Sequence, residues 1–254
     1  MGTLRLAALA SCVIATGCAS IGNVQRADTL GRGNYQVGLE PGVQAIVTQA
    51  GAAPYPHLDA SFRYGITDGI DLGLRGGWSF LEAQGKFLLT KPTDPKLAIS
   101  LAPTVGGIAV GAAGATVGLL NFSVPLLIGL KGEPRQFSRL GGMVAGNELV
   151  IGPRLQGYYL FGSSAGSGSA GALVLAPGVT LGYAIQVSET LCILPELAIV
   201  VPAFATAGAT SIPGQSGFGI GGALVQLKLG ILIGKGRTVA EPDEDLTPPP
   251  LPER

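Results

Sequence analysis

At 254 residues the chain has room for one or two soluble domains, yet only 13% of its residues are charged and 47% are hydrophobic, against about a quarter charged in a typical globular chain. Its 16 basic and 16 acidic residues cancel, which gives no electrostatic reason to expect a nucleic acid or a strongly anionic partner. With 41 Gly and 18 Pro it is too apolar for disorder, lacks the period of collagen and interrupts its apolar runs before the ~20 residues of a spanning helix, which leaves a β-rich or membrane-β architecture.

The first element is an address. Arg5 precedes an apolar stretch from Leu6 to Ala15, followed by Thr16, Gly17 and Cys18, the layout of a bacterial export signal. Residues Ala15 to Cys18 resemble a lipobox, with Ala15 where Leu is usual. The resemblance implies a signal peptide over 1–17, a lipidated Cys18, and the outer membrane as destination, because Ala19 is not the Asp that favours inner-membrane retention. A plain secretory signal with an incidental Cys is the alternative. Removal of Cys12 and acylation of Cys18 leave Cys192 alone, with no intramolecular disulfide and no CxxC pair for zinc.

A polar leader over 18–34 comes next, and then strands of period two. In residues 57–64, Leu58, Ala60, Phe62 and Tyr64 share one face, while His57, Asp59, Ser61 and Arg63 share the other. The Asp68-Gly69 pair marks a hairpin. Ile70, Leu72 and Leu74 then oppose Asp71 and Arg75, and residues 81–89 place Glu82, Gln84 and Lys86 on the polar side. A helix would scatter these polar residues around its circumference. Continued along the chain, the pattern predicts ten strands near 35–48, 57–67, 70–78, 80–90, 97–109, 116–130, 148–161, 172–187, 191–204 and 217–234. The fold expected is all-β, an antiparallel transmembrane β-barrel over 35–235 with about 10 strands, 8 to 12 fitting the same spacing. Spacers at 48–56, 111–115, 162–171 and 205–216 read as longer loops. The connection 131–147 is long on the side expected to be short, and 77–79 is short on the other.

Residues 63–75 resemble a recurrent hairpin of bacterial outer-membrane β-barrel proteins, and residues 30–42 resemble the run-in to the first strand of members bearing a lipobox. This class-level likeness covers most of the mature chain. It implies insertion by the barrel assembly machinery and contact with outer-membrane lipids. The last strand, 227–233, departs from it by lacking a terminal aromatic.

Parity predicts a lumen lined by Asp59, Arg63, Asp71, Arg75, Glu82, Lys86, Glu148, Arg154, Glu196 and Lys228, five acids and five bases. On the lipid face each midplane Arg or Lys would cost ~2–4 kcal/mol, which assigns these side chains to the interior. Paired charges in a small barrel suggest a filled core, and a narrow conduit or ligand pocket is the other reading. His57, the single histidine, and Ser61 lie on the same face, but residues four apart on a strand are separated by ~13 Å, too far for a catalytic hydrogen bond. The glycine pairs at 106–107, 141–142 and 221–222 lack the Lys of a phosphate-binding loop. Asp243, Glu244 and Asp245 read as a solvated charge run, so neither metal nor cofactor is expected.

Trp78, Phe80, Tyr158, Tyr159 and Phe161 fall near strand ends, where aromatic belts form. Residues 236–254 are expected to be a Pro-rich, acidic, disordered tail, periplasmic and on the same side as the lipidated N-terminus. The function expected is non-enzymatic: a lipid-anchored outer-membrane barrel with a structural or envelope-interaction role. A passive channel for small solutes is the second reading, and a lipid enzyme at the rim the third. The pattern leaves the oligomeric state open.

Overall fold

The computed structural model describes residues 20–48, 51–77, 80–112, 115–137, 143–164, 168–207, 210–212 and 222–239. Residues 1–17, expected to be a signal peptide, Cys18, Trp78 and the acidic part of the tail lie outside them.

Every regular element among the described residues is a strand. In chain order they are β1 (Tyr35–Thr48), β2 (Gly51–Thr67), β3 (Ile70–Gly77), β4 (Phe80–Leu88), β5 (Leu97–Leu101), β6 (Thr104–Ala112), β7 (Ala115–Lys131), β8 (Met143–Val144), β9 (Glu148–Ser164), β10 (Gly168–Gln186), β11 (Leu191–Val200), β12 (Phe204–Ala207), β13 (Thr210–Ile212), β14 (Ala223–Gly234) and β15 (Thr238–Val239). Consecutive strands pair antiparallel around the sheet. Pairing of β1 with β14, β14 with β11, and β11 with β10 closes it into a barrel. Among the described residues ten strands form the wall, with β5 and β6, β11 and β12, and β13 and β14 each counted as one crossing, and β8 with β15 stand apart. Pro103 splits the fifth crossing: lacking an N–H, it leaves a gap where Gly85 N–H reaches its carbonyl at 2.9 Å.

The period-two pattern becomes an inside-out protein. Along β2, Leu58, Phe62 and Tyr64 are exposed while His57, Asp59, Ser61 and Arg63 are buried. A soluble domain shows the reverse. Lipid-facing positions must be apolar, and polar groups are tolerated only where other groups in the lumen receive them.

Outward aromatic residues form two rims. Tyr35, Tyr64, Phe87 and Tyr183 lie toward the end of the barrel where β1 begins and β14 ends (the near mouth), and Tyr159, Phe161 and Phe204 toward the far mouth. Tyr183 pairs with Leu149, ten residues before Tyr159 on β9. Ten residues at ~3.3 Å and a tilt near 40° span roughly 25 Å along the axis, the height of an outer-membrane apolar band. Phe80 and Tyr158 do not join these rims. Phe80 is buried within 6.1 Å of the His57 ring, and Tyr158 packs inside against the cluster around Ile21.

Two expectations need correction. The spacers at 48–56, 111–115 and 162–171 are mostly strand: the ladders continue to Thr48↔Gly51, Ala112↔Ala115 and Ser164↔Gly168. Small residues can extend a hairpin when both of its strands are already in register. The tail begins later than residue 236. Val239 and Thr238 pair with Met143 and Val144, and Arg237 donates to Pro92 O (2.6 Å), Thr29 Oγ1 (2.7 Å) and Asp68 O. The long 131–147 connection thus has a partner at the near mouth. In the turn beneath it, Asp94 accepts the N–H groups of Lys96 and Leu97, which hold its carboxyl below the usual range.

The leader, whose place the sequence pattern left open, lies inside the barrel. Gly31 and Gly33 both take φ of +80°, a region that glycine enters without steric cost. They reverse the chain at the near mouth, where Gly33 N–H bonds Gly65 O and Gly65 N–H bonds Asn34 O, each at 2.9 Å. Residues 20–30 run back up the lumen, and all of them except Arg26 are buried.

Candidate functional site

The lumen is a channel whose polar wall is occupied by the chain's own backbone. Four N–H groups of residues 20–30 donate to the wall: Gly22 to Gln226 Oε1 (2.6 Å), Asn23 to Glu196 Oε1 (2.7 Å), Ala27 to Glu148 Oε1 (2.8 Å), and Leu30 to both Asp71 oxygens (3.1 Å each). Its carbonyls accept from wall cations. Ile21 O takes Arg154, Gly22 O takes Arg75 (2.5 Å), Val24 O takes Arg63 (2.6 Å), and the Arg26 and Asp28 carbonyls share Lys86 (3.2 and 2.7 Å). An irregular backbone within a low-dielectric barrel has no ladder to satisfy it, so charged side chains take the place of water.

Side chains of the leader fill apolar pockets between these polar contacts. Ile21 packs on Ala176, Ala198 and Val200; Val24 on Ala184, Cys192, Leu194 and Leu232; Ala27 on Ala98, Ala102, Leu127 and Val150. Two leader charges find partners on the barrel: Arg26 Nε lies 2.8 Å from Glu148, and Asp28 lies 2.7 Å from Lys131. Among the described residues a cavity of about 40 Å³ lies toward the near mouth, between Arg26, Lys86, Gln186 and Arg237, room for a few waters at most.

All ten parity-assigned charges have buried side chains inside the wall. Seven of them, Arg63, Asp71, Arg75, Lys86, Glu148, Arg154 and Glu196, bond the leader backbone. Asp59, Glu82 and Lys228 pair within the wall. Lys228 bridges Asp59 and Glu40 (3.0 Å to Glu40), and Arg75 meets Glu82 at 2.8 Å. Balance among the ten charges alone is therefore incomplete as an account of the lumen. The leader takes a large share of their hydrogen bonds.

Two features were missed. Glu40 is fully buried, with Lys228 at 3.0 Å, Arg63 and Arg75 each at 3.9 Å, and the Ser61 hydroxyl donating at 2.7 Å. Its signal was available, since Gln36, Glu40 and Gln44 share one parity in β1 and all three are buried. The leader also carried a signal: Ile21, Val24, Ala27 and Leu30 recur every third residue, a spacing of neither helix nor strand but of an extended chain with three residues per turn.

The histidine and serine weighed as a catalytic pair have other partners. His57 Nδ1 lies 3.1 Å from Asp59, and Ser61 donates to Glu40. Cys192 is a buried free thiol against Val24.

No protein-family model matches the chain, and no curated protein matches it. Solved structures do. Neisserial surface protein A is 10% identical, with 78% of this chain and 96% of that one covered and a TM-score of 0.37. The outer membrane protease OmpT from Escherichia coli is 11% identical, covering 85% and 98%, with a TM-score of 0.34. An anion-selective porin from Comamonas acidovorans is 9% identical, covering 79% and 98%, with a TM-score of 0.20. The fold of this chain is shown by its own strand pairing, an all-β, closed antiparallel barrel of ten wall strands among the described residues.

Proposed function

We propose that the chain is a plugged, non-enzymatic β-barrel of the bacterial outer membrane, anchored through an acyl group on Cys18, with a structural or envelope-interaction role. The observation that carries this reading is the leader. Residues 20–30 occupy the lumen and engage its wall through eight polar side chains, which supports a plugged lumen over an open channel. The apolar band and its two aromatic rims support the membrane assignment, and barrel assembly machinery is the expected route of insertion.

Planar-bilayer recording of the purified full chain tests the proposal. The expected result is no steady current at moderate voltage. Steady ohmic conductance would overturn the plugged reading in favour of a passive channel. Palmitate labelling tests the anchor: wild type should label and Cys18→Ala should not, and equal labelling would exclude acylation at that residue. A His57→Ala chain should match wild type on phospholipid and lipid A. If instead wild type modified either lipid and the variant did not, the non-enzymatic reading would fail.

A further inference from the structure

An even number of wall strands puts β1 and β14 at the same mouth, and with them the expectation that both chain ends share one face of the membrane. The leader changes this. Its contacts climb the wall in order, from Leu30 on Asp71 near the start of β3, through Ala27 on Glu148 at the start of β9, to Ser20 and Gly22 on Gln226. Gln226 stands eight residues above Gly234, the near-mouth end of β14. Eight residues at ~3.3 Å and a tilt near 40° put Ser20 roughly 20 Å above that mouth.

Covalent reach then decides the outcome. Cys18 is two residues from Ser20, and two residues extend at most ~7 Å in any conformation. It cannot return to the near mouth, roughly 20 Å below. Upward, the same reach attains the level of the far aromatic rim, roughly 25 Å above the near one.

We infer that the chain threads its own barrel, delivering its N-terminal end to the far mouth while its C-terminal segment stays at the near one; the outward assignment of the far mouth rests on the periplasmic placement expected for the tail. The mature chain then has its two ends on opposite faces. An acyl group on Cys18 anchors at the outer surface, and the leader is a tether from that anchor through the lumen. The leader's small residues suit the path: a Cβ on Gly22 would lie 2.6 Å from Glu196 Oε1, and one on wall residue Gly129 would lie 2.7 Å from the Ala27 Cβ. The lipid part of this inference rests on the anchored-barrel reading; the path of the leader does not.

The test uses the full chain in cells and has separate arms. In a Cys192→Ala background, Ser20→Cys with Gln226→Cys should form a disulfide on mild oxidation, mapped by peptide mass spectrometry. The same peptides unlinked in a barrel that still folds, as judged by heat-modifiable gel migration, would overturn the threading. Gly22→Cys with Glu196→Cys gives a second pair should the first variant fail to fold. For sidedness, a membrane-impermeant maleimide should label Ala52→Cys in intact cells and Lys91→Cys only after permeabilisation. The opposite pattern would overturn the outward assignment. Palmitate labelling separates the remaining part: a crosslinked chain without label at Cys18 supports the path and overturns the surface lipid anchor.

Discussion

Arg75→Met probes whether the lumen is filled or wet. Arg75 is 1% exposed, with its guanidinium 2.8 Å from Glu82 and 3.9 Å from Glu40, 5.7 Å over the Phe80 ring, and donating to Gly22 O. Removing one partner of a buried pair costs about 3–5 kcal/mol, because the other charge is left uncompensated. Here the lower end applies. Glu82 keeps hydrogen bonds from Gln84 (2.9 Å) and Asn121 (3.1 Å), and Glu40 keeps Lys228. The expected loss is therefore about 3 kcal/mol, or roughly two decades in the folding equilibrium. Urea unfolding of the full chain in lipid vesicles, followed by heat-modifiable gel migration, measures it. Arg75→Met with Glu82→Gln removes both charges and should recover most of the loss, since a buried pair replaced as a whole is often near neutral. A single-variant loss below about 1 kcal/mol would refute the reasoning, for that is the scale of a water-screened surface pair.

Other expectations follow from the same contacts. Lys228→Met leaves both Glu40 and Asp59 without their shared cation and should cost about 3–5 kcal/mol in the same unfolding assay. Gly230→Val places side-chain atoms where Val24 sits, so disulfide capture of the Ser20–Gln226 pair should fall while the wall still folds. On the lipid face, Leu39→Arg lies near mid-band and should cost about 2–4 kcal/mol, whereas Val47→Arg, eight residues further along β1 and beyond the far rim, should cost about 0–1. Arg237→Ala loses the bonds to Pro92, Thr29 and Asp68, and hydrogen exchange at the N–H groups of Thr29 and Leu30 should quicken without a change in the β-wall.

Legibility in the sequence follows how local each signal was. Asp59, Arg63, Asp71 and Arg75 could be assigned to the interior because strand parity is a two-residue property and lipid tolerates no alternative. The spacers at 48–56 and 162–171 were misjudged because Gly, Ala and Ser say little about whether two strands stay paired past the membrane band. Pairing there depends on register inherited from below. Phe80 and Tyr158 were grouped with belt residues by their position along the chain, yet a shift of one residue decides between lipid and lumen.

What the sequence determined by itself was the barrel class, the apolar outer face, and which charges turn inward, all consequences of period-two alternation and an excluded aqueous alternative. What only the tertiary structure decided was what those charges are for. The leader's hydrogen-bond partners on the wall lie as much as 206 residues away, as for Ser20 and Gln226, on strands that come together only when the sheet closes. Until a lumen exists, a short polar segment before the first strand has nowhere to go but solvent. Once it exists, Arg63, Arg75 and Arg154 need acceptors, the leader's carbonyls need donors, and each meets the other's requirement inside the wall.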